Sequence, residues 1–397
     1  MFRKYLDINP KVFWMPDYDL KKETDWYGIK ALKYEGIEYK GQKTAVFAYI
    51  GYPENSENKK VPGVVLVHGG GGHAYAEWVK IWNDRGYAAI AIDLRGGLPA
   101  DDKKGLVGTE VQRDENFVQF DGNDGYFSGP DGYDVYDDET EIENVWLYRA
   151  VANTILAHNI LLNDNRIDSE KIGITGISWG GVTVSQVIAH DKRFAFAIPI
   201  YGSGYLQFSL SEIMQPFKAE QALKYWEVSE KYDKIRFPVL WLCWNRDTCF
   251  DVIPNCLSYL KTKNAGAVLS ICHEMNHAHW CGWVREESYR FADSCIGKAQ
   301  KFIRFKNTEH NFFDGTFELE CDSDGKDLTA TLYYITEEYA YSDKSEPLFD
   351  WQTVRAEISG NTVSVQIPED AKGYYIELKE KIGDREYVST SVLKTRK

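Results

Sequence analysis

Ile172-Gly173-Ile174-Thr175-Gly176-Ile177-Ser178-Trp179-Gly180-Gly181 decides how the rest of the chain is read. A short apolar run, suited to a buried strand, leads into a Gly-x-Ser-x-Gly turn. Val184, Val187 and Ile188 then fall at helical spacing, so a helix is expected from Val182 to His190. Strand, sharp turn and helix form the setting in which a serine is held out as a nucleophile. The glycines have a steric reason. Side chains at Gly176 and Gly180 would collide with the neighbouring strand and helix. The turn also puts Ser178 at a helix start, where N–H groups and the dipole favour a developing negative charge. Five-residue patterns with two free positions also arise by chance, so the remaining chain has to supply the partners.

Upstream, Val64-Val65-Leu66-Val67 is continuously apolar, the mark of a strand buried on both faces. It runs into His68-Gly69-Gly70-Gly71-Gly72-His73. Four glycines in a row are entropically costly, and they make sense where backbone N–H groups must approach a ligand. The backbone N–H of Gly70 or Gly71, with that of Trp179, is the expected pair of oxyanion donors. The loop lacks the Gly-Lys-Ser/Thr ending of a phosphate loop, and His68 is expected to be structural. A helix from Ala74 to Arg85, stopped at Gly86, and a buried strand Ala88–Ile92 follow. Glu143–Leu162 reads as a helix, with Leu147, Val151, Ile155 and Leu162 on one stripe. Alternation of strand and helix predicts an α/β fold with a doubly wound, mostly parallel sheet covered on both faces.

Downstream, Pro238–Cys243 reads as a strand and is followed by Asn245-Arg246-Asp247-Thr248. An acid at the carboxyl end of a strand, after the serine, fits the chain order Ser, Asp, His. Asp247 is favoured over Asp251, which suits a cap on the turn at Pro254. The next strand, Ala267–Cys272, leads into His273-Glu274-Met275-Asn276-His277-Ala278-His279-Trp280. One histidine here is needed as general base, the side chain whose charge changes near neutral pH. His277 is the first choice and His279 the alternative, with His273 expected to be structural. His277, His279 and Cys281 also read as a possible metal-ligand set. The spacing of metallo-hydrolases and of structural zinc sites is absent, so no metal and no cofactor is expected.

Two stretches break the strand–helix rhythm. Residues 98–143 are rich in Asp, Gly and Tyr, and residues 202–234 carry Tyr205, Phe208, Phe217, Tyr225 and Trp226. Both are expected beside the site, the second as a cap. The first does not match EF-hand spacing. Residues 1–43 are aromatic and charged without clear periodicity, and read as an irregular segment. Trp283–Phe302 reads as a helix closing this part. After Lys306 the pattern changes to period two, with Asp-Gly, Ser-Gly and Gly-Asp turn signals. The expectation is a catalytic domain over 1–305 and an all-β domain over 306–397, a sandwich of immunoglobulin or fibronectin type. Support or assembly is its expected role, which leaves a homo-oligomer open.

The runs Val64–His73 and Gly173–Gly181, with Ile198-Pro199-Ile200-Tyr201-Gly202-Ser203-Gly204, resemble a known group. So do the Asn245-Arg246-Asp247 turn and Met275-Asn276-His277-Ala278-His279 with the later Phe291-Ala292-Asp293-Ser294. Together they look like α/β-hydrolases of the acetyl xylan esterase and prolyl oligopeptidase-like group, related to dienelactone hydrolase. The likeness covers about residues 30–305. It implies Ser178 as nucleophile, Asp247 as acid, a histidine between Met275 and His279 as base, and backbone donors from the glycine loop and Trp179. Two departures stand out. Asn245 holds the first position of the usual Gly-x-x-Asp turn, and Asn276 and Ala278 replace the Pro and Gly of Met-Pro-His-Gly-His.

With 397 residues and 44% apolar content, the chain can bury a sizeable core. A net charge of −14 argues against nucleic acid or an anionic membrane as partner. No apolar run is long enough to span a bilayer, and the N-terminus lacks the apolar core of a signal peptide. Seven cysteines without Cys-x-x-Cys spacing suit reduced thiols and a cytoplasmic location. Twelve Trp and 26 Tyr also suit surfaces that stack on sugars. The function expected is a serine carboxylesterase removing short acyl groups, acetyl foremost, from a carbohydrate or related small ester. The alternatives are a prolyl oligopeptidase-type peptidase, against which no propeller repeat is visible, and a carbohydrate-binding protein on a hydrolase scaffold.

Overall fold

The computed structural model describes residues 1–54, 59–106, 113–137, 139–306, 312–320, 327–344 and 346–396. The central sheet has nine strands. They are β1 (Val12–Trp14), β2 (Lys30–Glu35), β3 (Ala45–Gly51), β4 (Val61–Val67), β5 (Ala88–Ile92), β6 (Ile167–Ile177), β7 (Phe196–Ile200), β8 (Leu240–Trp244) and β9 (Val268–Cys272). Their order is β1-β2-β3-β5-β4-β6-β7-β8-β9. From β5 to β9 all neighbours run parallel, and β1, β2 and β3 form an antiparallel edge. Every residue of β4, β5, β7 and β9 is buried, as expected where helices cover both faces.

The covering helices are α1 (Ala76–Asp84), α2 (Trp146–Leu162), α3 (Trp179–His190), α4 (Val252–Thr262) and α5 (Glu286–Cys295). Trp78, Val79 and Trp82 form the buried stripe of α1, and Gly86 takes φ +86° just past its end. Helix α2 is buried nearly all round, Arg149 and Asn159 included.

Segment 1–43 is not irregular throughout: β1 and β2 extend the sheet at its antiparallel edge. The sequence of β2 hides this, because Lys30-Ala31-Leu32-Lys33-Tyr34-Glu35 reads as polar. Lys33 is nevertheless buried. Its ammonium pairs with Asp124 and lies 5.1–5.6 Å from the ring centroids of Phe13, Phe120 and Tyr126. The helix expected from Trp283 to Phe302 is also shorter. A short turn at His279–Trp283 precedes α5, Arg285 is extended between them, and Gly297 has φ +80°. At the start of the 98–143 stretch, Gly97–Pro99 pairs with Phe117–Gln119; residues 107–112 and 138 lie outside the described residues.

The C-terminal part is all antiparallel. It comprises β10 (Arg304–Phe305), β11 (Thr316–Glu320), β12 (Asp327–Ile335), β13 (Gln352–Ser359), β14 (Thr362–Ser364), β15 (Gly373–Ile382), β16 (Arg385–Thr390) and β17 (Lys394–Thr395). The pairing runs β10-β11-β14-β13-β12-β15-β16, with β17 also on β15. This is one continuous ladder, nearly closed on itself. Alternation gives β12 and β15 two different faces. Ala330, Leu332, Tyr374, Ile376 and Leu378 build a core of their own. Tyr333 and Tyr375, stacked at 5.1 Å, join the larger core of the parallel sheet instead. Among the described residues, no helix is long and apolar enough to cross a membrane.

Candidate active site

Ser178 stands between β6 and α3 with φ 59° and ψ −121°, a conformation an L-residue adopts only under constraint. The constraint is visible. Its N–H donates to the Ile200 carbonyl (2.9 Å) and its carbonyl accepts from the Val182 N–H (3.0 Å). A Cβ on Gly176 would collide with the Gly180 carbonyl, and one on Gly180 with the Val67 carbonyl. The turn thus fits only because both glycines lack side chains.

The Ser178 hydroxyl donates to Nε2 of His277 at 2.9 Å, and Nδ1–H of His277 donates to Oδ2 of Asp247 at 2.8 Å. Asp247 is fully buried just past β8. Its second oxygen accepts the N–H groups of Cys249 (2.8 Å) and Phe250 (3.0 Å), which fixes the carboxylate in place. The imidazole lies between two rings: Phe250, stacked at 5.6 Å, and Tyr201 at 4.5 Å. The Tyr201 hydroxyl donates to the Asn276 carbonyl (2.5 Å) and so anchors the histidine loop after β9. A serine, an imidazole and a carboxylate in this order can pass a proton away from the hydroxyl as it attacks a carbonyl.

The alternatives lie elsewhere. Asp251 caps α4: it accepts from Ile253 N–H (3.2 Å), Leu210 N–H (2.8 Å) and the Ser209 hydroxyl (2.5 Å), and burial pushes its carboxyl up. His279 serves the glycine loop, its Nε2 accepting the Gly69 N–H at 2.9 Å and its Nδ1 lying 3.3 Å from the Tyr75 hydroxyl. His68 bridges the Leu94 N–H and the Gly69 carbonyl. His273 accepts from the Asn245 side chain at 3.0 Å. The possible ligand set His277, His279 and Cys281 is not gathered: no ligand cluster among the described residues contains His279 or Cys281.

Of the backbone donors expected, the Gly71 N–H donates to the Tyr133 hydroxyl at 2.7 Å. Trp179 opens α3, where N–H groups have no partner within the helix. The indole of Trp179 is walled by Tyr133 (5.6 Å, stacked), Trp146, Phe217 and Phe250. Both excursions therefore reach the site, through Tyr133 and Phe217. Sequence reasoning missed Tyr133, Tyr201 and Phe250 as site residues. Tyr201 carried a signal, since it follows a buried strand and precedes a glycine. Nothing in the spacing singled out Tyr133 among its neighbours.

The C-terminal part also reaches the acid turn. The Asn245 side-chain amide donates to the Tyr375 hydroxyl (2.9 Å), and the Val252 N–H donates to the Tyr339 hydroxyl (3.3 Å).

The parallel sheet, with a strained serine at the strand-to-helix turn, defines a serine hydrolase of the α/β-hydrolase fold. Residues 139–237, about a quarter of the chain, match the prolyl oligopeptidase family. No curated protein matches the chain significantly. Similar solved structures include the acylaminoacyl peptidase of Pyrococcus horikoshii, at 18% identity and TM-score 0.48, covering 72% of this chain and 43% of that one. Est1E from Butyrivibrio proteoclasticus is 16% identical, with TM-score 0.45 and coverage of 66% and 98%. Acetyl xylan esterase 1 from Thermoanaerobacterium sp. JW/SL YS485 is 15% identical, with TM-score 0.45 and coverage of 70% and 87%. The chain spans less than half the length of the acylaminoacyl peptidase.

Proposed function

We propose that this protein is a carboxylesterase that removes short acyl groups, acetyl foremost, from carbohydrate or related small esters. Ser178 attacks the ester carbonyl while His277 takes its proton, and Asp247 holds the imidazole in the receiving tautomer. The N–H groups of Trp179 and Gly70 stabilise the oxyanion, that of Gly71 being taken up by the Tyr133 hydroxyl. Water activated by the same histidine then releases the acyl group from the serine. The observation that carries this reading is the unbroken chain from Ser178 Oγ to His277 to Asp247, with contacts of 2.9 and 2.8 Å. The aromatic walls around Trp179 support a small acyl group over a long one. Residues 1–305 are assigned to catalysis, and 306–397 to a supporting domain of immunoglobulin or fibronectin type.

Labelling with a fluorophosphonate tests the nucleophile. Wild type is expected to carry the adduct on Ser178, located by peptide mapping, and Ser178→Ala to carry none. A panel of acetyl, butyryl and octanoyl esters beside a prolyl anilide tests the substrate class. Fastest turnover of acetyl esters supports the reading. Preference for the anilide would replace it by a peptidase. Sugar binding without turnover of any ester would replace it by a binding protein.

A further inference from the structure

Cys249 lies two residues beyond Asp247, half-buried, and its backbone N–H donates to the Asp247 carboxylate. Its thiol plays no part in the proton path from Ser178. One ligand atom each of Asp247, Cys249 and His277 lie within 4.8 Å of one another, and these three alone form such a cluster among the described residues. Sulfur, nitrogen and carboxylate oxygen together are the donor set of a tetrahedral zinc site. Ideal tetrahedral bonds would set those atoms about 3.4–3.6 Å apart. The 2.8 Å contact between His277 and Asp247 has to widen to reach that spacing, and the sulfur starts within 4.8 Å of both partners. The His277 side chain is 21% exposed, which gives a cation and its remaining water ligand a way in.

We propose that Asp247, Cys249 and His277 form an inhibitory binding site for a thiophilic divalent cation, with Zn²⁺ as the natural candidate. A cation shared by the carboxylate and the ring takes the nitrogen that faces the carboxylate, Nδ1. Cys249 gives up its thiol proton to water and binds as thiolate. The proton on Nδ1 relocates through solvent to Nε2, so one proton leaves per cation bound. Bonds from the metal to sulfur, nitrogen and oxygen replace the hydrogen bond of the acid to the base. Nε2 then carries a hydrogen and cannot receive the proton of Ser178. Zinc thus holds the imidazole in the wrong tautomer. The inhibitory effect rests on the serine hydrolase reading above; the binding site rests on the three side chains alone.

The test uses chelator-treated full-length wild type, Cys249→Ser and Cys249→Ala, with folding checked by circular dichroism. The serine variant keeps the side-chain volume. Zinc is expected to slow fluorophosphonate labelling of wild type. In both variants the zinc concentration that halves labelling is expected to rise by at least about tenfold, the loss that even outer partners of a metal site cause. Cobalt(II) is expected to give a near-ultraviolet thiolate charge-transfer band with wild type and none with the variants. Equal zinc sensitivity in wild type and variants, or no thiolate band, overturns the site. If metal-free wild type does not label at all, the nucleophile reading fails, and the cobalt band alone decides whether the cation binds.

Discussion

The indole N–H of Trp351 donates to the main-chain carbonyl of Asn245 at 3.1 Å, across 106 positions of sequence. Asn245 is two residues before Asp247, and its side chain is bonded in turn to Tyr375. The turn that carries the acid is therefore held from outside the parallel sheet. Trp351→Phe and Tyr375→Phe each remove one hydrogen bond and leave a buried polar group of Asn245 short of a partner. The loss of stability expected is about 1–3 kcal/mol each. Thermal unfolding and the rate of fluorophosphonate labelling check this together. Both are expected to fall, and unchanged values in both would mean that the turn holds itself.

Asp247 and Asp251 are expected to separate cleanly on amidation. Asp247→Asn forces the wrong tautomer on His277, for a loss on the order of 10⁴ in kcat. Asp251→Asn keeps a side-chain oxygen that can cap α4, and asparagine is as good an N-cap as aspartate. Its activity is expected to stay within about tenfold of wild type, since the cap contacts no reacting atom. Ester hydrolysis by the two purified variants decides it, and equal losses would contradict Asp247 as the acid.

Gly180→Ala places a methyl group against the Val67 and His68 carbonyls, where the end of β4 meets α3 behind the serine. Backbone has to move, so a destabilisation of about 3–5 kcal/mol is expected. Denaturant unfolding measures it. A near-neutral variant would show that the elbow has slack that its geometry does not suggest.

Glu377 is 3% exposed. Burial raises its carboxyl to about 7 from the ordinary 4.5, with Glu274 and Glu287 adding to the rise and Lys379 and Arg285 opposing it. A raised acid favours the folded state while both states are protonated. That advantage is lost as pH climbs from about 4.5 to about 7 and is gone above it. Glu377→Gln is therefore expected to be about 3 kcal/mol more stable than wild type at pH 8, and equal to it well below pH 4.5. Denaturant unfolding between pH 4 and 8 gives both curves, and parallel curves would contradict the shift.

Much of this was legible in the chain itself, and the exceptions have physical causes. Continuous apolar runs and the serine turn are local signals, so β4 to β9 stood out. Strand β2 did not, because its lysine is made tolerable by an aspartate 91 positions away. The choice between His277 and His279 was open because both flank one residue in a loop. Only the fold shows that His279 faces the Gly69 N–H and His277 the serine. Tyr133 reaches the site from an irregular stretch where no periodicity gives direction. The role of the C-terminal strands was hidden for a similar reason. Alternation announces two faces, but not that Tyr333 and Tyr375 look toward another core.

The clamp on Asn245 also sets an order in time. Its side-chain and main-chain partners, Tyr375 and Trp351, lie 130 and 106 positions later. At ribosomal rates of 5–20 residues per second, a growing chain carries the acid turn for about 5–25 s before those partners exist. During that interval the serine elbow can already be folded while the acid still lacks its outer support. The last contacts that hold this turn are thus made late in the life of each molecule, by a part of the chain outside the Ser178–His277–Asp247 relay.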